Sequence, residues 1–271
     1  MFDRLPRFVV GFVLLASTFG HPAPARAAPE SVECTLIVDA RTGEALYRNG
    51  VCDQRFSPAS TFKVPLAAIG YDAGILADEH RPAWDYKPEF KAVKRDHKTV
   101  DPTIWERDSV LWFSREITRH LGAEKFGAYV ARLDYGNADV SGSPDKDDGL
   151  TRSWIDSSLK IAPVEQVDFL RRLLDGRLPV SAKAREMTIA ILPSFQAGSW
   201  TVQGKTGSTR LPKSNERAKD SRAIGWFVGW AKKDERLIVF ARLVVNAKTN
   251  EGPKGLAARA AFLKELPQLV K

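Results

Sequence analysis

The chain is poor in the residues that build metal centres and redox pairs. Its 271 residues include two cysteines, four histidines and two methionines. His21, His80, His97 and His120 stand apart, without metal-ligand spacing, so no metal is expected. Low-complexity tracts and internal repeats are also missing, which excludes solenoids and linker-rich assemblies. Beyond residue 30 no apolar run is long enough to cross a bilayer, so stable membrane insertion is not expected. The basic excess, formally +8, is dispersed along the chain. With no helix-turn-helix or finger spacing to focus it, no nucleic-acid partner is expected.

What is present begins with a leader. Arg4 and Arg7 precede the apolar run "FVVGFVLLA", and "APARAAPE" supplies small residues around Ala25 and Ala27. This is the layout of a signal peptide over 1–27, with cleavage after Ala27 or Ala28 and export to the periplasm or medium. Residues 28–271 then form the working unit, with a net charge of about +6 once Asp3, Arg4, Arg7 and Arg26 are removed.

Cys34 and Cys52 flank "TLIVDARTGEALYRNGV", a hairpin pattern turning at Arg41-Thr42-Gly43. A hairpin brings its ends together. The two cysteines either bridge in an oxidising compartment or remain buried thiols. From residue 61 to 192 the pattern is mainly helical. "TIWERDSVLWFSREITRHLG" reads as one helix closed by Gly122, and "APVEQVDFLRRLL" opens another with Pro163 in its first turn. After Ser199 come three strands rich in aromatic and β-branched residues, "SWTVQGKTGS", "RAIGWFVGWAK" and "RLIVFARLVVN", then a closing helix. The expected fold class is α+β. An antiparallel sheet flanked by helices (28–60 and 193–271) meets a mostly helical lobe (61–192), with the site between them.

The stretch "SPASTFKVPLAAIG" carries the chemistry. Ser60 sits where a helix begins, so its Oγ is exposed and nearby backbone N–H groups point at any developing oxyanion. Lys63, three residues on, shares its face. A neutral lysine there takes the serine proton and makes Ser60 a nucleophile. The motif alone is weak, because Ser157-Ser158-Leu159-Lys160 repeats it.

The ordered company of Ser60 is specific: "PASTFK" followed by Pro65, "SVL" at Ser109, "DYGN" ending at Asn137, Trp154 before "ID", "KTGS" at Lys205 and "IGWFVGW". In that order these motifs resemble the class D serine β-lactamases, from about Val32 to Leu266. The resemblance implies that a serine acyl-enzyme opens the ring of penicillin-type antibiotics and confers resistance. It implies Ser60 as nucleophile, Lys63 N-carboxylated by carbon dioxide as general base, and Trp154 binding the carbamate. Ser109 would pass a proton to the leaving nitrogen, with Lys205 supplying electrostatics. Thr206, Gly207 and Arg259 would meet the substrate, and the N–H groups of Ser60 and Ser208 would form the oxyanion hole. Leu111 departs from the family's usual valine, beside the expected carbamate. Apart from carbon dioxide no cofactor is implied. Penicillin-sensing receptors and cell-wall D,D-peptidases or transpeptidases share this site, and they are the alternative readings.

Overall fold

The structure, a computed structural model, describes Met1 and residues 31–211, 222–246 and 254–270; the expected leader lies outside the described residues. Six strands form one antiparallel sheet: β1 (Ser31–Asp39), β2 (Ala45–Gly50), β3 (Ser194–Ala197), β4 (Trp200–Arg210), β5 (Ala223–Lys233) and β6 (Arg236–Asn246). Their order across the sheet is β2-β1-β6-β5-β4-β3. The first hairpin turns where the sequence indicates. Asp39 Oδ1 accepts from the N–H groups of Arg41 and Thr42, and Gly43 takes φ +80°, a left-handed value that glycine adopts without strain. Cys34 and Cys52 are disulfide-bonded with their Cα atoms 5.2 Å apart. Closing this loop contributes about 3 kcal/mol in the chain-entropy description.

The central strand β5 is buried from Ala223 to Ala231, because both faces of the sheet are covered. That is why "AIGWFVGWA" reads as a continuous apolar run rather than an alternating one. On one face the last helix, α8 (Lys254–Leu269), packs Phe262 and Leu266 against Phe227 and Phe240. On the other lie the remaining helices: α1 (Lys63–Asp72), α2 (Pro102–Asp108), α3 (Leu111–Leu121), α4 (Ala123–Arg132), α5 (Gly149–Asp156), α6 (Pro163–Leu174) and α7 (Ala182–Ala190). One apolar core runs from β1 and β6 through α6 into α3 and α4. Helix α6 therefore belongs spatially to the sheet, although it lies within the helical stretch of the sequence.

Two local readings need correction. The single helix expected over "TIWERDSVLWFSREITRHLG" is two. Asp101 caps α2, accepting from Ile104 N–H at 2.7 Å, and α2 ends at Ser109 in the left-handed region (φ +60°). Val110 is extended before α3 starts. Both halves keep apolar residues at helical spacing, so periodicity could not show the break. The strand β3 was also not expected; it pairs with the first residues of β4.

Candidate active site

The Ser60 turn is a 3₁₀ turn, Ala59–Phe62, running directly into α1. Ala59 sits at φ +51°, a conformation costly for any residue with a Cβ. The surroundings hold it there. Thr61 Oγ1 donates to Pro58 O at 2.7 Å, Gln166 Nε2 donates to Thr61 Oγ1 at 2.9 Å, and the Tyr135 hydroxyl donates to Gln166 Oε1 at 3.3 Å. From the sheet, the Trp226 indole donates to Ser57 O at 3.0 Å. The "DYGN" motif thus braces the turn through Tyr135. Ser60 is the half-buried exception in an otherwise buried run from Phe56 to Tyr71.

Lys63 points the other way, inward, and is 1% exposed. Its Nζ donates to Ser114 Oγ at 3.0 Å, and the Trp105 indole N–H donates to the same oxygen at 2.9 Å. Burial is the main force holding the Lys63 pKa down, to about 7, with the nearby Lys205 charge adding to it. Glu106 and Asp96 pull the other way, and Arg115 adds a smaller depression. Near neutral pH a substantial share of Lys63 is therefore the neutral amine, the form able to accept a proton or attack carbon dioxide.

Strand β4 supplies the opposite wall. Lys205 is buried, and its Nζ donates to Ser109 Oγ at 3.0 Å and to Thr206 O at 3.3 Å. Burial depresses its pKa to about 8, against the attraction of Glu106 and together with the Arg259 charge. The left-handed turn at Ser109 is what ends α2 beside β4. Gly207 allows the strand to close on the Ser60 turn: a Cβ there would stand 2.7 Å from Pro58 O. Ser208 Oγ accepts from Gly255 N–H at 2.9 Å, tying β4 to the start of α8. Ser60, Ser109, Thr206, Ser208 and Arg259 all line one cleft of about 590 Å³, and Arg95, Lys98 and Arg107 line it too. The Arg259 guanidinium lies over the Phe195 ring, 4.6 Å from its centroid.

The structure thus gathers Ser60, Lys63, Ser109, Lys205, Thr206, Gly207, Ser208 and Arg259 around the cleft and the pocket behind it. Trp154 stands farther back, stacked on Phe62 at 5.4 Å and edge-on to Phe126 at 6.1 Å. Leu111 opens α3 and is half-buried against the main core. Sequence reasoning missed Trp105, Glu106 and Ser114. Ser114 had a faint signal, a polar residue on the face that also carries Ile117. Glu106 had none, since a glutamate in "WERD" reads as a solvated helix residue; it is 0% exposed. Among the described residues no cluster of histidine, cysteine or carboxylate could hold a metal ion.

Comparison with known proteins agrees with this geometry. The penicillin binding protein transpeptidase domain matches residues 33–268. The chain is 45% identical to "Beta-lactamase OXA-9" of Klebsiella pneumoniae over 95% of each sequence. It is 34% identical to "Beta-lactamase OXA-1" of Escherichia coli, over 80% of this chain and 78% of that one. The crystal structure of the class D β-lactamase OXA-427 superposes with a TM-score of 0.78 at 41% identity, covering 87% of this chain and 97% of that one. Likeness of this extent, spanning every element that frames the Ser60–Lys63 pair, places the chain within the penicillin-binding transpeptidase fold and makes it a member of the class D β-lactamases.

Proposed function

We propose that the protein hydrolyses the β-lactam ring of penicillin-type antibiotics through an acyl-enzyme on Ser60, and so confers resistance to them. The observation that carries this reading is Lys63, buried one turn from the nucleophile, its pKa held near neutrality by desolvation. The substrate carbonyl is attacked by Ser60 Oγ while the backbone N–H groups of Ser60 and Ser208 stabilise the oxyanion. Ser109, hydrogen-bonded to Lys205, returns a proton to the lactam nitrogen as the ring opens. Thr206 and the Arg259 guanidinium receive the substrate carboxylate, and Gly207 lets the acyl chain lie close to β4.

The pocket around Lys63 suits N-carboxylation. Its amine is available near neutral pH, and Phe62, Val64, Leu111, Trp105 and Trp154 give it an apolar setting. The Trp154 indole N–H, on the ring stacked against Phe62, is the donor assigned to a carbamate oxygen. A carbamate there supplies a general base for both acylation and hydrolysis of the acyl-enzyme. No metal takes part in this scheme. We place the working protein outside the cytoplasm, after removal of residues 1–27, as the leader pattern and the disulfide suggest.

A chromogenic cephalosporin tests the reading. Repeated turnover, abolished in Ser60→Ala, is expected. A stoichiometric burst without turnover would mean a penicillin-sensing role, and peptide hydrolysis with slow β-lactam inhibition would mean a D,D-peptidase.

A further inference from the structure

The mechanism above leaves Glu106, a fully buried charged group, without a task. Glu106 is 0% exposed, and both its carboxylate oxygens lack a hydrogen-bond partner. A carboxylate in that state is costly unless its surroundings supply charge or it binds a proton. Its position is specific. The preceding residue, Trp105, shares Ser114 Oγ with Lys63, and Lys63 Nζ lies 5.9 Å from the Trp105 ring centroid. Three residues on, Ser109 accepts from Lys205. The short helix α2 thus carries a buried, unpartnered carboxylate, with Trp105 on one side in sequence reaching the Lys63 hydrogen bonds and Ser109 on the other reaching those of Lys205.

We propose that Glu106 takes up a proton when Lys63 is N-carboxylated, a positioning residue that acts through the charge balance of the lysine's pocket and not on the substrate. The proposal rests on the reading of Lys63 as a carboxylated base. The Lys63 nitrogen forms a bond to the carbon of carbon dioxide, and one C=O electron pair moves onto oxygen to give the carbamate. The N–H proton leaves to solvent and the Glu106 carboxylate takes one up, becoming neutral, so that no net proton is released. Before the reaction the pocket holds Lys205⁺, Glu106⁻ and neutral Lys63; afterwards it holds Lys205⁺, neutral Glu106 and the carbamate. Its net charge does not change, so an apolar pocket accepts an anionic base without burying an extra charge.

The other charges around the pocket support this exchange. Burial pushes Glu106 up to about 7, while Lys205 and Lys63 pull it down. On α1 the Tyr71 hydroxyl donates to Asp78 O at 3.1 Å, and Tyr71's pKa is raised, by burial first and then by the Glu106 charge. Asp96, on the segment before α2, and Arg115, on α3, act on Lys63 with opposite signs. Arg259 acts on Lys205. A new negative charge on Lys63 raises Glu106 further, so the carbamate and a protonated Glu106 favour each other.

The test uses the full-length mature protein, decarboxylated at acid pH, returned to pH 7.5–8.5 and given carbon-13-labelled carbon dioxide. Carbon-13 NMR reads the carbamate, and difference infrared spectroscopy reads protonated carboxyl groups. In the wild type a protonated-carboxyl band should rise in proportion to the carbamate signal. The carbon dioxide concentration for half-carboxylation should be nearly independent of pH across this range, since no net proton is released. In Glu106→Gln the carbamate should form with no such band, and the half-carboxylation concentration should change about tenfold per pH unit, the mark of one released proton. A wild-type carbamate without a protonated-carboxyl band, or the same band in Glu106→Gln, would overturn the proposal. The wild-type spectra decide it even if the variant does not fold. Absence of any carbamate in the wild type would instead overturn the reading of Lys63 on which the proposal rests.

Discussion

Of the three S-x-x-K stretches in the chain, at Ser60, Ser143 and Ser157, two make a contrast: the copies at Ser60 and Ser157 share nothing but spacing. At Ser60–Lys63 the serine is half-buried at the cleft, and the lysine is 1% exposed beneath it. At Ser157–Lys160 the lysine is exposed, and the neighbouring Ser158 does structural work. Ser158 Oγ donates to Asp139 O and accepts from Gly142 N–H, both at 2.9 Å, while Asn137 Oδ1 accepts from Lys160 N–H. The first copy sits on a strained turn braced from α6 and β5; the second closes a loop. A lysine becomes a base only where burial strips water from its charge. The motif therefore carries chemistry through its surroundings, and the comparison can be broken by changing one copy at a time.

The largest contrast is kinetic. Lys63→Ala should lower kcat for a penicillin by a factor on the order of 10³ or more, whereas Lys160→Ala should stay within about twofold, as judged by steady-state hydrolysis. Comparable losses in both variants would erase the distinction.

Next comes pH. Below a Lys63 pKa of about 7 the amine is increasingly protonated, so activity should fall on the acid side and bicarbonate should restore part of it at fixed pH. Lys160→Ala should leave that limb unchanged. A profile flat down to pH 5.5 would contradict the assigned state of Lys63.

Stability sharpens the contrast in the opposite sense. The folded pKa of Lys63 is depressed below its unfolded value, so its charge opposes folding fully below about pH 7, and the opposition fades as pH rises toward 10.5. Lys63→Met should then raise the denaturant midpoint at pH 6, by about 1–3 kcal/mol in stability, and by less at pH 9. Lys160→Met should change little at either pH.

The smallest expected effect belongs to the second copy. Ser158→Ala removes two hydrogen bonds and should cost about 1–2 kcal/mol in denaturant unfolding, with kcat unchanged. Loss of activity at unchanged stability would show that the second copy also belongs to the site.

Much of this contrast was readable before the fold was known. Apolar and β-branched runs marked β4, β5 and β6, and the turn at Arg41–Gly43 placed the first hairpin and the cysteines that it brings together. Ser60, Lys63 and Lys205 were legible because each stands in an ordered set of motifs. The break at Ser109 was not, because left-handed backbone at a serine leaves no mark on hydrophobic spacing. Nor were Trp105, Ser114 and Glu106. Their importance lies in contacts and fields that cross between α1, α2, α3 and β4, segments that lie as far apart in the chain as Lys63 and Lys205. Strand β3 was missed because four residues at a sheet edge give too short a pattern to count.

The central claim is that burial, not spacing, selects the reacting serine. Its most direct test is to quench the protein in acid during penicillin turnover, digest it, and locate the acyl adduct by mass spectrometry. The adduct is predicted on the peptide containing Ser60 and nowhere else, and it should vanish in Ser60→Ala while persisting in Ser157→Ala. An adduct on Ser157 or Ser158, or one that survives Ser60→Ala, would contradict the account.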